Sequence, residues 1–182
     1  MTAKVLVAYA SRFGSTQGVA EEVGRVLEEY GLQVDVLPAA EVQDISAYQA
    51  VVAGSAINSG EWLPEGMAFL RKHQAQLNQK PFAAFLVCMT LTMKNGAYEQ
   101  MVSEWMRPVR ALVPPVSEGL FAGGLDIRRI PSFGDRVKFR LSVLAGVWSE
   151  GDHRDWETIR RWAKTLPALF RKSRTVEPAL TF

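Results

Sequence analysis

The residues best placed to do chemistry are Ser11, Arg12, Phe13, Gly14, Ser15 and Thr16, which follow an apolar run, Val5 to Tyr9, and lead into a helical pattern. Three hydroxyls beside the first N–H groups of a helix make a phosphate cradle, because those N–H groups lack intrahelical partners and the helix dipole favours an anion. Gly14 lets the backbone approach that anion closely. The loop has neither the Gly-Lys-Ser/Thr ending of a nucleoside-triphosphate loop nor the three glycines of a dinucleotide fingerprint, so a monophosphate fits better than ATP or NAD. A plain strand-to-helix turn with serines as caps is the alternative.

The surrounding elements would have to hold that loop at the edge of a sheet. At 182 residues, 48% hydrophobic and 22% charged, with a net charge of +2, the chain is long enough for one domain with a substantial core. No apolar run is long enough to span a bilayer, and no basic-then-apolar leader opens the chain, which makes a cytoplasmic protein the expectation. The lone Cys88 sits in an apolar run and reads as a buried thiol. With His73 and His153 it forms no spaced metal-ligand set, and both histidines read as surface residues. Nothing calls for a nucleic-acid partner.

Strand-like and helix-like segments alternate. Strands are expected at Val5 to Tyr9, Leu32 to Leu37, Ala50 to Gly54, Phe82 to Met89 and Val116 to Ala122. Helices are expected at Thr16 to Tyr30, Leu63 to Asn78, Tyr98 to Leu112 and Asp152 to Lys172, the last kinked or ended by Pro167. That alternation predicts an α/β three-layer sandwich on a five-stranded parallel sheet, with ligand at the carboxyl ends of the strands. The domain is expected over residues 1–172 with an insertion near 127–149, and residues 173–182 form a tail.

The Ser11, Gly14, Thr16 spacing after an apolar strand resembles the FMN-phosphate loop of the flavodoxin family. Arg12 resembles the arginine-bearing loop of that family's menaquinone-dependent protoporphyrinogen oxidase branch. The resemblance implies a flavodoxin-like fold of strand order 2-1-3-4-5 with ligand at the carboxyl ends of strands one and three, FMN as cofactor, and two later loops that would hold the isoalloxazine ring. Ser55, Ala56, Ile57, Asn58, Ser59, Gly60 and Trp62 supply one, and Thr90, Leu91, Thr92, Met93 and Gly96 the other. Trp62 would stack on or shield the ring, or else pack the start of the next helix. Tyr98 is a weaker candidate of the same kind.

The branch resemblance extends through Gly54-Ser55-Ala56-Ile57, Lys72-His73, Ala122 to Asp126, Gly134-Asp135-Arg136 and Asp155-Trp156-Glu157. It implies an oxidoreductase that takes electrons from a porphyrinogen and delivers them to a membrane quinone. Asn58 and Ser59 stand where those enzymes carry a basic and an aromatic residue, so Arg12 or the insertion arginines would have to supply the cation.

Read by itself, the insertion has Arg128, Arg129, Arg136, Lys138 and Arg140 against the single acid Asp135, and Val137, Leu141, Leu144 and Trp148 at helical spacing. Such a segment suits peripheral contact with an anionic membrane on its inner face, a core-packing helix with a basic rim, or a homodimer contact. No side chain stands out as a general base. A soluble electron carrier and a flavin-free interaction module are the competing classes, and the absence of an acidic balance weakens the carrier.

Overall fold

A computed structural model describes residues 3–93, 96–129, 132–146 and 150–175. The parallel strands are β1 (Lys4–Ala10), β2 (Gln33–Pro38), β3 (Ala50–Asn58), β5 (Phe82–Cys88) and β6 (Ser117–Ala122). They pair in the order β2-β1-β3-β5-β6, which is the expected 2-1-3-4-5 path, and a short β4 (Glu61–Trp62) pairs antiparallel with β3. β1, β3 and β5 are nearly continuous apolar runs because helices cover both their faces.

One face carries α1 (Ser15–Glu29) and α6 (Trp156–Thr175), whose Val19, Val23, Val26, Ile159, Ala163 and Leu166 pack on Val7, Val52 and Phe85. The other carries α2 (Pro64–Leu77), α3 (Gly96–Glu104) and α4 (Arg107–Leu112), which bury Phe69, Leu70, Val102 and Val109 against Leu6, Val51 and Leu86. The insertion is rooted in an antiparallel ribbon of β7 (Gly124–Leu125) and β8 (Gly151–Asp152) and contains α5 (Phe133–Leu144).

Several boundaries differ from the sequence reading. The helix expected over Tyr98 to Leu112 is two helices. Trp105 and Met106 donate to Val102 and Ser103 in tight three-residue turns, and Pro108 opens the second helix where its missing N–H costs nothing. Pro167 does not end α6. Leu166 and Phe170 are buried on either side of it, and that packing outweighs the local cost, about 3 kcal/mol, of a proline inside a helix. α6 starts at Trp156 rather than Asp152, with Asp155 as its cap through Thr158 N–H at 3.0 Å. His73 is not on the surface. Period 3.6 places it on the inner face of α2 with Phe69 and Leu77, its ring 5.0 Å from that of Phe69.

α1 and α6 are clasped by Glu22, which accepts from Arg25 at 2.7 Å and from Arg160. The Arg25 hydrogen bond first, then that of Arg160, hold the Glu22 carboxyl at about 2, against an ordinary 4.5, despite the opposing effect of burial. A depressed carboxylate stabilises the fold above its unfolded pKa and loses that contribution as pH falls through the folded one. Glu22→Gln should therefore lower stability near pH 7 by about 1 kcal/mol after solvent screening. It should also flatten the fall of Tm between pH 4.5 and 2. An unchanged acid limb in the variant would assign the effect elsewhere.

Candidate functional site

The loop after β1 closes at the N-terminus of α1. Gly14 takes φ 86°, a left-handed conformation in which a side chain would be strained. Its N–H donates to Ser11 Oγ at 3.1 Å, and its carbonyl accepts the first helical bond from Gly18 N–H at 3.1 Å. The N–H groups of Ser15, Thr16 and Gln17 precede that bond, so the helix offers them no acceptor. No acidic side chain lies in this first turn.

Thr16 is 1% exposed, yet its Oγ1 has no hydrogen-bond partner among the described residues. A buried hydroxyl left unpaired costs on the order of 1–3 kcal/mol, so Thr16 has a donor to give to an anion in the cleft it lines. Thr16 lines a cleft of about 120 Å³ together with Ser11, Arg12, Phe13, Ala56, Ile57 and Asn58, and with Cys88, Met89 and Phe139 across from them. An anion held by hydroxyls and helix N–H groups fits this lining. Cys88 is buried there, and burial pushes its thiol up to about 11, so it stays protonated and inert.

The second expected loop is mostly strand. β3 runs to Asn58, and Ser59 and Gly60, with φ 53° and 82°, make the primed turn that folds β4 back so that Ile57 faces Trp62. Positive φ at both central positions is what such a hairpin requires, and the Ser-Gly pair was its sequence signal. Ser55 Oγ accepts Leu63 N–H at 2.9 Å and donates to Ala56 O at 2.8 Å, so it braces the entry to α2. Trp62 is 5% exposed and lies in the core beneath the hairpin. Arg12 Nη1 reaches Asn58 Oδ1 at 3.4 Å, which sets a guanidinium beside the neutral residue.

Thr90, Leu91 and Thr92 form a single tight turn, and Thr92 Oγ1 donates to Met89 O at 2.7 Å. Met93 follows, half-buried, and Gly96 starts α3, while Lys94 and Asn95 lie outside the described residues. Sequence reasoning missed Met89, Gly123, Gly124 and Phe139 as lining residues. The Gly123-Gly124 pair was a legible sign of close backbone approach.

The insertion is organised differently from its sequence pattern. The face bearing Val137, Leu141 and Leu144 points outward: Leu141 is 61% and Leu144 83% exposed, with Phe133 at 78%. Trp148 lies outside the described residues. Phe139 and Val143, one helical turn apart, face inward and pack with Leu125, Ile127, Phe13 and Met89. Phe13 and Phe139 meet edge to face at 5.7 Å, so α5 closes over the loop between β1 and α1. The core-packing alternative therefore holds for Phe139 and Val143, not for the stripe the spacing singled out. No helix among the described residues is long and apolar enough to cross a membrane.

Comparison with known proteins extends these observations. The flavodoxin domain model matches residues 6–147. Protoporphyrinogen IX dehydrogenase [quinone] of Escherichia coli K12 is 27% identical over 93% of this chain and 97% of its own length. Streptococcus pneumonia TIGR4 flavodoxin shares the fold at TM-score 0.57 and 19% identity, covering 91% of this chain and 99% of that one. Rubredoxin oxygen:oxidoreductase of Desulfovibrio gigas matches at TM-score 0.56 and 17% identity over 95% of this chain, which spans only 37% of that larger protein. The sheet order, the loop at the head of α1 and the family match together place this chain in the flavodoxin-domain family, on the side of it that is similar to protoporphyrinogen IX dehydrogenase.

Proposed function

We propose that this protein is an FMN-dependent oxidoreductase that draws electrons from a porphyrinogen-like reduced substrate and passes them to a membrane quinone. The observation that carries the reading is the two-sided helix α5. Phe139 on its inner side lines the cleft, and Phe133, Val137, Leu141 and Leu144 on its outer side are exposed beside Arg136, Lys138 and Arg140. A basic, apolar helix face suits the headgroup boundary of an anionic bilayer, and its opposite side reaches the redox site.

FMN, when bound, supplies the centre that takes up and releases electrons. The chain's own part is binding and shielding. Thr16, Ser11 and the first N–H groups of α1 would hold the phosphate, and Phe13 with Phe139 would keep water from the cleft. Arg12 beside Asn58 offers the cation toward a carboxylate-bearing substrate. Similarity to a protoporphyrinogen dehydrogenase along nearly the full chain supports the substrate and acceptor classes.

The test is FMN titration followed by menaquinone reduction with a porphyrinogen as electron donor, and co-sedimentation with phosphatidylglycerol vesicles. The Arg136→Gln, Lys138→Gln, Arg140→Gln triple variant should bind vesicles more weakly by about 1 kcal/mol per charge, less so at high salt. It should hold FMN as the wild type does. If the wild type holds FMN but neither sediments nor reduces menaquinone, a soluble electron carrier replaces the enzyme.

A further inference from the structure

Ser15, the first residue of α1, is gripped from two sides by chain more than one hundred positions away. Its Oγ accepts the N–H of Gly124 in β7 at 2.9 Å, and its carbonyl receives Arg154 Nη1 at 3.4 Å. β7 pairs with β8, and Arg154 follows β8 by two residues, so both arms of the ribbon that carries the insertion converge on one residue of the phosphate loop.

The seat of Arg154 is built from several sides. Its guanidinium donates to both Asp152 oxygens at 2.7 and 2.8 Å and lies 4.4 Å from the centre of the Trp156 ring. Its side chain is only 20% exposed. It reaches Ser15 because Gly18 has no side chain: a Cβ there would stand 2.5 Å from Arg154 Nη1. A helix position where alanine would be favoured by about 1 kcal/mol is thus given up to let the arginine lie across α1.

We infer that Arg154 is a positioning residue for the phosphate cradle, an inference that rests on the FMN reading above. With Gly124 N–H on its lone pair, the Ser15 hydroxyl retains its proton for donation to an anion. Arg154 fixes the backbone that carries this hydroxyl and offsets the Asp152 carboxylate, which would otherwise set a negative charge beside the N-terminus of α1. Its effect falls on the phosphate end of the ligand, so it governs selectivity for FMN over riboflavin, which shares the ring and lacks the phosphate.

The experiment titrates apoprotein with FMN and with riboflavin. Arg154→Met keeps the stem over Gly18 and Trp156 while removing the donors. It should weaken FMN about tenfold and leave riboflavin unchanged within about twofold. Arg154→Lys should recover only part of the loss, since an ammonium lacks the planar fork that serves Asp152 and Ser15 together. In the Asp152→Asn, Arg154→Met double variant part of the loss should persist, because it does not arise from the orphaned carboxylate alone. Equal losses for the two ligands, no loss of FMN affinity, or full recovery in the double variant would each overturn the assignment. A wild type that binds FMN no better than riboflavin fails the FMN reading first and takes this inference with it, a result visible before any variant is made.

Discussion

Thr16→Val makes the apoprotein more stable while FMN binding weakens by roughly ten- to a hundred-fold. Valine keeps the shape of the buried threonine, and it removes a hydroxyl that has no partner among the described residues. Relief of that unpaired group should stabilise the fold by about 1 kcal/mol or more. In the proposed function the same hydroxyl donates to the phosphate, and a hydrogen bond to a charged group contributes about 1.5–3 kcal/mol. Adding Ser11→Ala should take the loss to between two and four orders of magnitude, since two such bonds are then removed. Ser11 also accepts Gly14 N–H at 3.1 Å, so this second change should lower rather than raise stability. Thermal unfolding of apoprotein and fluorescence titration with FMN read the two effects separately. Unaltered FMN affinity in the double variant would remove the phosphate from this loop.

The second large effect is at the centre of the sheet. Gly54 in β3 pairs with Phe85 in β5, and a Cβ at Gly54 would lie 2.0 Å from the Phe85 ring. That ring is fully buried and wedged against Phe121 and Trp162 at 6.1 and 6.0 Å, so it has no direction in which to yield. Gly54→Ala should cost about 3 kcal/mol, the upper end of overpacking. Phe85→Leu should itself be destabilising, but in the Gly54→Ala background it should recover stability by making room. Urea unfolding of the four proteins gives the coupling directly. Additive costs would mean that the ring and the glycine are not a matched pair. Because Ser55 to Asn58 continue this strand into the cleft, the same clash should also weaken FMN binding.

How much was legible beforehand depended on whether the cause was local. The strand, hydroxyl turn and helix at residues 5–29 follow from apolar periodicity and from the unpaired N–H groups that any helix start exposes, whereas the order of the five main strands followed from the resemblance of the Ser11, Gly14, Thr16 loop to the flavodoxin family. The Ser59-Gly60 hairpin was written in turn chemistry but looked like a loop, since two positive-φ residues identify a fold-back only when the strand they return to is known.

Other features were decided by packing between elements distant in sequence. Which of α5's two apolar faces turns inward depends on Phe13, Leu125 and Met89 being there to receive Phe139 and Val143, and spacing alone ranks the outer stripe higher. The burial of Trp62 and His73, and the continuation of α6 through Pro167, follow from the core each faces, because buried apolar area outweighs local preference. The sequence by itself determined the hydroxyl-rich loop between β1 and α1, the alternation of elements and the family. Only the tertiary structure brought Arg154 across Gly18 to Ser15 and set α5 over the cleft, because those contacts join residues more than one hundred positions apart and leave no local trace in either partner.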